Sequence, residues 1–362
     1  MCQSLTSCRN LAILFHIRIR IHSIATMPDL TQEQIAELSR VSQATVSRVL
    51  RGDPRVNEEL RQRVLEVIRQ HGYVPDARAQ SLRSQRTGTL GLVVHRSPKQ
   101  LARDPFFSAL IAAIIEFAGE GGYHLCVDAA RAVQSRRAIY EDLLRTRRVD
   151  GLILVEPQTR DERMPRLLEE GFPFVLIGRY EPIDAVYSVD NDNIGAGYMA
   201  TQHLLGKGHR RIAYISGLRG IFVCEDRGQG YRRALEEAGL AYAPELVAWG
   251  DFSEAHGYRS MSRLLGLPDP PTAVVAVDDV VAIGALRAAK EHGVAIPQQV
   301  AVIGFNDSPF CQYVEPPLSS VAVDIRALAH LATQVLIDLI EEREVSQRRH
   351  IVPCHLVERA ST

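Results

Sequence analysis

Residues 31–52, TQEQIAELSRVSQATVSRVLRG, constrain the fold more tightly than any other stretch of this chain. Thr31, with Gln34 three residues on, fits a capping box in which each side chain covers a free backbone N–H of the other. Ile35 and Leu38 then share one face of a short helix. Ser42 caps a second helix, whose apolar positions Val46, Val49 and Leu50 recur at three- and four-residue spacing. Between them, Gln43, Ala44, Thr45, Ser47 and Arg48 are small or hydrogen-bonding. Two short helices around a tight turn, the second with a polar outer face, describe a helix-turn-helix whose second helix enters the DNA major groove. An ordinary helical hairpin on an enzyme surface carries the same pattern, so the stretch alone leaves both readings open.

The next residues narrow the choice. Asn57 caps a third helix with Glu58 and Glu59 at its positive end, and Leu60, Val64, Val67 and Ile68 line its inner face. His71-Gly72 stops it, and Tyr73-Val74-Pro75 leads away. A short helix over 76–83, a basic polar stretch and an apolar strand run follow.

The run VSQATVSRVL, then HGYVPDARAQSL, then the strand LGLVV resembles the lactose-repressor (LacI/GalR) family of bacterial transcription regulators. The resemblance extends from about Pro28 to the C-terminus and implies DNA binding. It also implies an architecture: an all-α helix-turn-helix DNA-binding domain at 27–75, a hinge helix and linker at 76–87, and an α/β effector domain at 88–362.

The rest of the composition agrees with a DNA-binding protein of two or three domains. The chain has 362 residues, 46% hydrophobic and 23% charged, with a net charge of −1. A small basic reader fused to a large acidic domain averages to such a value, so local placement matters more than the total. Arg48, Arg51, Arg55, Arg78, Arg83 and Arg86 are the candidates for phosphate contact. The six cysteines (Cys2, Cys8, Cys126, Cys224, Cys311, Cys354) form no CxxC pair. That argues against a zinc site and a disulfide framework, and for reduced thiols in a cytoplasmic protein. Within residues 1–26, LAILFHIRIRIHSIA interrupts its apolar run with arginines, unlike a signal peptide or membrane span. Translation is expected to start at Met27, with 1–26 a mis-called extension or a disordered tail.

Beyond the hinge, continuous apolar runs alternate with amphipathic segments. Strands are expected at 89–95, 123–128, 151–155 and 174–178, with helices at 106–119, 135–146 and 162–170 between them. After Asp190 a second series follows, with helices at 194–205, 227–238, 254–265 and 280–292. Its strands are expected at 211–216, 247–249, 273–277 and 300–305. A strand at 319–323 and a helix at 328–341 then cross back. The pattern predicts parallel, doubly wound sheets. The resemblance implies two lobes like those of periplasmic sugar-binding proteins. Lobe 1 is expected at about 88–189 and 321–348, and lobe 2 at about 190–320 and 349–362. Ligands of such sheets bind outside the carboxyl ends of the strands, here between the lobes.

For the DNA-binding set the expectation is Thr31, Ser42, Gln43, Ala44, Thr45, Ser47, Arg48, Arg51, Ala79 and Leu82. In the resembled family the start of the second helix reads base edges, which places Gln43 and Ala44 there and Arg48 further along. Gln pairs with adenine and Arg with guanine, while Ala44 offers only a methyl contact. Thr45 and Ser47 suit phosphate. Matching ARAQSL to the family hinge makes Leu82 a wedge inserted between base steps of the minor groove. One departure is Arg40, where the family usually has Gly in a turn that favours positive φ, at a cost of about 1–2 kcal/mol.

For the effector, the resemblance points to Phe107, Arg179, Asp190, Arg227, Phe252, Asp278 and Asn306. Arg227 in CEDRGQGYRRAL matches a family arginine that holds ligand hydroxyls or anions, and Phe252 an aromatic stacked on the ligand. Asp278 and Asn306 exchange the Asn and Asp usual in the family, which alters donor and acceptor capacity. Arg179 favours a hydroxyl-rich or anionic ligand over a purine.

Enzyme signatures are missing: no GxxxxGK[ST], no HExxH and no GxSxG, and Gly228-Gln229-Gly230 lacks the dinucleotide context. The expectation is therefore a cytoplasmic homodimer without cofactor, metal or membrane partner. It binds double-stranded operator DNA and represses carbohydrate-utilisation genes under a small-molecule sugar or sugar-phosphate effector. A nucleobase-responsive corepressor-type regulator and a sugar-binding transport protein are the alternatives; the second leaves 31–83 unexplained. No tetramerising heptad repeat is expected after the last strand.

Overall fold

A computed structural model describes residues 30–73, 86–94, 96–129, 148–159, 161, 163–181 and 184–362. The expected extension at 1–26, the start at Met27, the hinge helix and the helix at 135–146 lie outside the described residues. The chain divides into two compact units, Met1–Ser84 and Gln85–Thr362.

In the first unit, α1 (Gln32–Ser39), α2 (Gln43–Leu50) and α3 (Glu58–His71) pack around Ile35, Ala36, Val46, Val49 and Val64. The capping box forms: Gln34 N donates to Thr31 Oγ1 at 3.3 Å and Thr31 N to Gln34 Oε1 at 2.8 Å. Ser42 Oγ accepts from Thr45 N at 3.2 Å, and Asn57 Oδ1 from Glu59 N at 2.8 Å. Leu38 is a correction. It is 49% exposed, because the buried face of α1 runs through Ile35, Ala36 and Ser39 instead.

Arg40 ends α1 in the left-handed conformation, φ 53° and ψ 47°, with its N–H on the carbonyls of Ala36 and Glu37. A side chain here costs about 1–2 kcal/mol, partly offset because glycine loses more entropy on folding. Arg40→Gly is thus expected to stabilise the unit by about 0.5–1 kcal/mol. Hydrogen exchange in the full-length protein should show α1 and α2 amides exchanging several-fold more slowly; unchanged exchange would mean that the turn holds arginine without strain.

The second unit contains two six-stranded sheets. The first has the order β11-β5-β4-β3-β1-β2, built from β1 (Thr89–Val94), β2 (His124–Ala129), β3 (Gly151–Val155), β4 (Phe174–Ile177), β5 (Ser188–Asn191) and β11 (Arg349–Val352). The second has the order β12-β10-β9-β8-β6-β7, from β6 (Ile212–Ile215), β7 (Val247–Ala248), β8 (Ala273–Ala276), β9 (Ala301–Phe305), β10 (Ser319–Val323) and β12 (Cys354–Val357). Strand pairs run parallel except β10 with β12. Central strands such as β3, β8 and β9 are buried throughout, as continuous apolar runs require.

Sheet membership differs from the expected lobe limits at three places. Asp190 and Asn191 belong to β5 of the first sheet, and all of β10 belongs to the second. Residues 349–352, expected in lobe 2, pair with β5. Pro353 separates them from β12; without an N–H it cannot continue a ladder, and there the chain changes sheets.

Helices cover the sheets. α4 (Pro98–Leu101), α5 (Pro105–Glu120), α6 (Arg163–Glu169) and α11 (Ile325–Ile340) accompany the first. With the second go α7 (Asn193–Gly206), α8 (Phe222–Glu237), α9 (Glu254–Leu265) and α10 (Asp279–Glu291). Leu328, Ala332, Leu336 and Ile340 of α11 join Leu110 and Ile114 of α5 in the first core. α8 starts five residues before the expected 227. Gly228 and Gly230 therefore lie inside the helix, and Gly230 allows close packing, since a Cβ there would lie 2.0 Å from the Ile194 carbonyl of α7. Likewise a Cβ on Gly197 would lie 2.1 Å from the carbonyl of Arg227. This backbone contact sets the position of Arg227.

Candidate functional site

On the first unit, Gln43, Ala44 and Arg48 of α2 are exposed, while Val46 and Val49 face the core. Thr45 and Ser47 are half-buried; Thr45 Oγ1 lies 2.9 Å from Ser42 Oγ, and Arg51 Nε donates to the Ser47 carbonyl at 3.1 Å. Thr31 and Ser42 serve as the helix caps already described. The outer face of α2 thus offers one amide, one methyl and one guanidinium, a set suited to base edges. Two arginines of the phosphate expectation have partners within their own unit. Arg55 is held by Asp53 through Nε at 3.0 Å and Nη2 at 2.9 Å, which keeps that carboxyl well below the usual carboxylate range. Arg86 donates to the Ile340 carbonyl at 2.7 Å, at the negative end of α11. Ala79, Leu82, Arg78 and Arg83 lie outside the described residues.

In the second unit a cavity opens at the carboxyl ends of the strands of both sheets, as doubly wound sheets prescribe. Six expected residues line it: Phe107 on α5, Asp190 on β5, Arg227 on α8, Phe252 after β7, Asp278 after β8 and Asn306 after β9. Arg227 is its hub and only 4% exposed. Nη1 donates to the Val277 carbonyl at 2.6 Å, Nε to Asn193 Oδ1 at 3.1 Å and Nη2 to Asn306 Oδ1 at 3.5 Å; the guanidinium also stacks on Phe305 at 4.4 Å.

The acids around it are kept from ionising easily. Burial pushes the Asp190 carboxyl up to about 7, and nearby Asp226 adds to the rise, although Asn191 N–H, Arg179 and Arg227 oppose it. Asp278 also rises to about 7, chiefly by burial, with Asp104 and Asp279 adding and the Val281 N–H and Arg96 opposing. Asp278 caps α10, accepting from Val281 N at 2.7 Å, a role that Asn fills equally well. Asn306 has φ 92°, a region that Asn tolerates better than most residues. The exchange of Asn and Asp at these positions thus keeps both local backbone requirements. Asn191 Oδ1 is buried without a hydrogen-bond partner among the described residues, so it can accept from a ligand hydroxyl.

Arg179 is a correction: it does not line this cavity. It forms a bidentate pair with Asp226 (2.6 and 2.5 Å), contacts Glu181, and lies 4.3 Å from the Phe222 ring. Arg179 follows β4 and Asp226 lies on α8, so the pair joins the lobes and is not a ligand clamp. The lobes also meet where Thr159 N donates to the Gly220 carbonyl at 3.0 Å and where Gln158 bridges Ile221.

A cluster that sequence reasoning missed lies at the same strand ends. Arg96, after β1, is buried and donates Nε to Glu156 Oε2 at 3.0 Å and Nη2 to Glu156 Oε1, with Asp104 3.8 Å away. Burial works against its charge, but these acids overcome it and hold the guanidinium above its usual range. Its Cζ lies 4.3 Å from the Phe252 centroid and 5.3 Å from that of Phe107. Glu156, after β3, has φ 52°, so the chain accepts backbone strain at this point of the cavity. Both residues follow apolar strand runs, the one signal that pointed to them.

Among the described residues no group of metal-ligating side chains occurs, and no helix is long and apolar enough to cross a membrane. Residues 31–76 match the family model for bacterial regulatory proteins of the lacI family, and residues 201–362 that for a periplasmic binding protein-like domain. The chain is 35% identical to the HTH-type transcriptional regulator CelR of Thermobifida fusca, over 91% of its own length and 98% of that protein's. The HTH-type transcriptional repressor CytR of Escherichia coli K12 is 31% identical, over 92% of this chain and 96% of that one. A solved CelR–cellobiose complex superposes with a TM-score of 0.72 at 34% identity, covering 92% of this chain and all (100%) of that one. With a helix-turn-helix unit and a two-sheet ligand-binding unit in the same order, the chain belongs to the lacI family and is a DNA-binding transcriptional regulator.

Proposed function

We propose that the protein is a homodimeric repressor of carbohydrate-utilisation genes, acting in the cytoplasm without catalytic activity, and that a neutral sugar bound between the lobes changes its affinity for operator DNA. The observation that carries the sugar assignment is the lining of the cleft. Among the described residues the cations of the cavity around Arg227 are Arg96 and Arg227, against the acids Asp104, Glu156, Asp190 and Asp278; Lys99 and Arg103 lie outside it, toward the mouth. Such a site has both cations already matched by acids and offers a phosphate or carboxylate no free positive charge, whereas hydroxyl groups can bond its acids and Asn191, and Phe252 can cover an apolar ring face. The sugar-phosphate branch of the expectation is accordingly set aside. Gln43, Ala44 and Arg48 read the major groove, and the Leu82 pair opens the minor groove of a two-fold operator. Sugar binding shifts the balance between lobe arrangements, and the hinges with it.

A thermal-shift screen of sugars, sugar phosphates and nucleobases, followed by operator binding with and without each hit, tests this. A ligand at a hundredfold its Kd adds about 2.7 kcal/mol and a clear melting shift. Hits confined to phosphates or nucleobases would overturn the neutral-sugar assignment. Leu82→Ala is expected to weaken operator binding by about tenfold or more, with sugar affinity kept. Equal losses in both would assign Leu82 to folding instead.

A further inference from the structure

The cleft has two chambers. The inner one, around Arg227, has about 710 Å³ free of protein atoms, mouth included. An outer one, with about 1260 Å³, is bounded by Gln100, Gln158, Leu218, Ser253 and Ala255. Both are lined by Arg96, Asp104, Glu156, Ile221 and Phe252, so they meet at the Arg96 cluster. There the Arg96 guanidinium carbon lies over the Phe252 ring, 4.3 Å from its centroid, and covers the face on which a ring would stack. The outer walls combine the charged side chains of Lys99, Arg103, Asp251 and Glu254, which can bond sugar hydroxyls, with amides, a hydroxyl and Leu218, which is 46% exposed. Hydroxyl rims and apolar faces alternate in the same way along a chain of sugar rings.

Resting on the sugar reading above, we infer that the effector has at least two sugar rings, one in the inner chamber and the next in the outer chamber on Phe252. The second ring takes the place of the Arg96 guanidinium on that face. Arg96 turns aside and keeps Glu156 as its partner. A single ring fills only the inner chamber and leaves the Arg96–Phe252 contact in place.

Calorimetry on the full-length protein tests this with glucose, cellobiose and maltose, galactose and lactose, mannose and mannobiose, xylose and xylobiose. At least one disaccharide is expected to bind at least about tenfold more tightly than its monosaccharide, about 1.4 kcal/mol. Ala255, exposed on α9, borders only the outer chamber. Ala255→Trp should bring the disaccharide to within about threefold of the monosaccharide, with the melting temperature kept. A monosaccharide that binds as tightly as any disaccharide would overturn the inference and leave the sugar reading standing. So would a tryptophan variant that weakens both ligands alike. Failure of every sugar to bind would overturn the sugar reading itself.

Discussion

Arg227→Ala is expected to abolish the response to effector while basal operator binding persists. The Arg227 guanidinium ties together Asn193 at the start of α7, the Val277 carbonyl at the end of β8, and Asn306 after β9. Removing the guanidinium leaves a buried carbonyl and two amides short of a donor, each worth about 1–3 kcal/mol when unsatisfied. Asp190, already pushed up by burial, also loses a cation that favours its charged form. Both changes disorder the groups that would face a sugar. Sugar affinity should fall by at least about a hundredfold, equivalent to about 2.7 kcal/mol. Operator binding measured by anisotropy should match the wild type without sugar and stop responding with it. Arg227→Lys keeps a charge but not the planar fork that reaches three acceptors, so it should restore little. A full response in the alanine variant would remove Arg227 from the site.

The helix-turn-helix unit was legible because its signals are local. Thr31 with Gln34, Ser42 and Asn57 sit within three residues of the groups they cap, and Arg40 adopts the positive φ expected of the turn. Leu38 was misjudged because a helix this short satisfies an i, i+3 pattern in more than one way; only packing against α2 and α3 selects Ile35, Ala36 and Ser39. In the second unit the alternation of strands and helices was legible, since fully buried parallel strands read as continuous apolar runs. The sheet that claims residues 349–352 was not, because pairing with β5 spans more than 150 residues and leaves no local trace.

The cleft divides in the same manner. The rule that ligands meet strand ends, joined to the family resemblance, brought Phe107, Asp190, Arg227, Phe252, Asp278 and Asn306 together. It failed at Arg179 because Asp226, 47 residues later, is carried to it by α8. The same rule applied to β1 and β3 reaches Arg96 and Glu156. What no strand-end rule supplies is their pairing, which changes a free cation into a neutralised cluster and turns the cleft toward uncharged ligands.

Asp278→Asn should remove a pH dependence centred near neutrality. The carboxyl stands at about 7 in the folded chain, above the ordinary value of about 3.9 of an unfolded aspartate. Between those values the native state holds a proton that the unfolded state has released, so this group's contribution to stability falls as pH rises. From pH 5 to pH 8 the loss is about 3 kcal/mol. Asparagine keeps the cap on Val281 N and does not titrate. The variant should therefore match the wild type in stability only below about pH 4, exceed it modestly at pH 5 and exceed it by a wider margin at pH 8. Comparing the two at each pH matters, because His203, His209 and His256, lowered chiefly by burial, impose an opposite slope common to both proteins. Sugar binding should show the reverse pattern. Hydroxyl donors favour the ionised carboxylate, so wild-type affinity should decline as pH falls through 7, whereas the weaker affinity of the variant should decline less, keeping only the part that Asp190 imposes. Calorimetry at pH 6 and 8 on both proteins reads this directly. A wild-type affinity independent of pH would mean that the sugar does not contact Asp278.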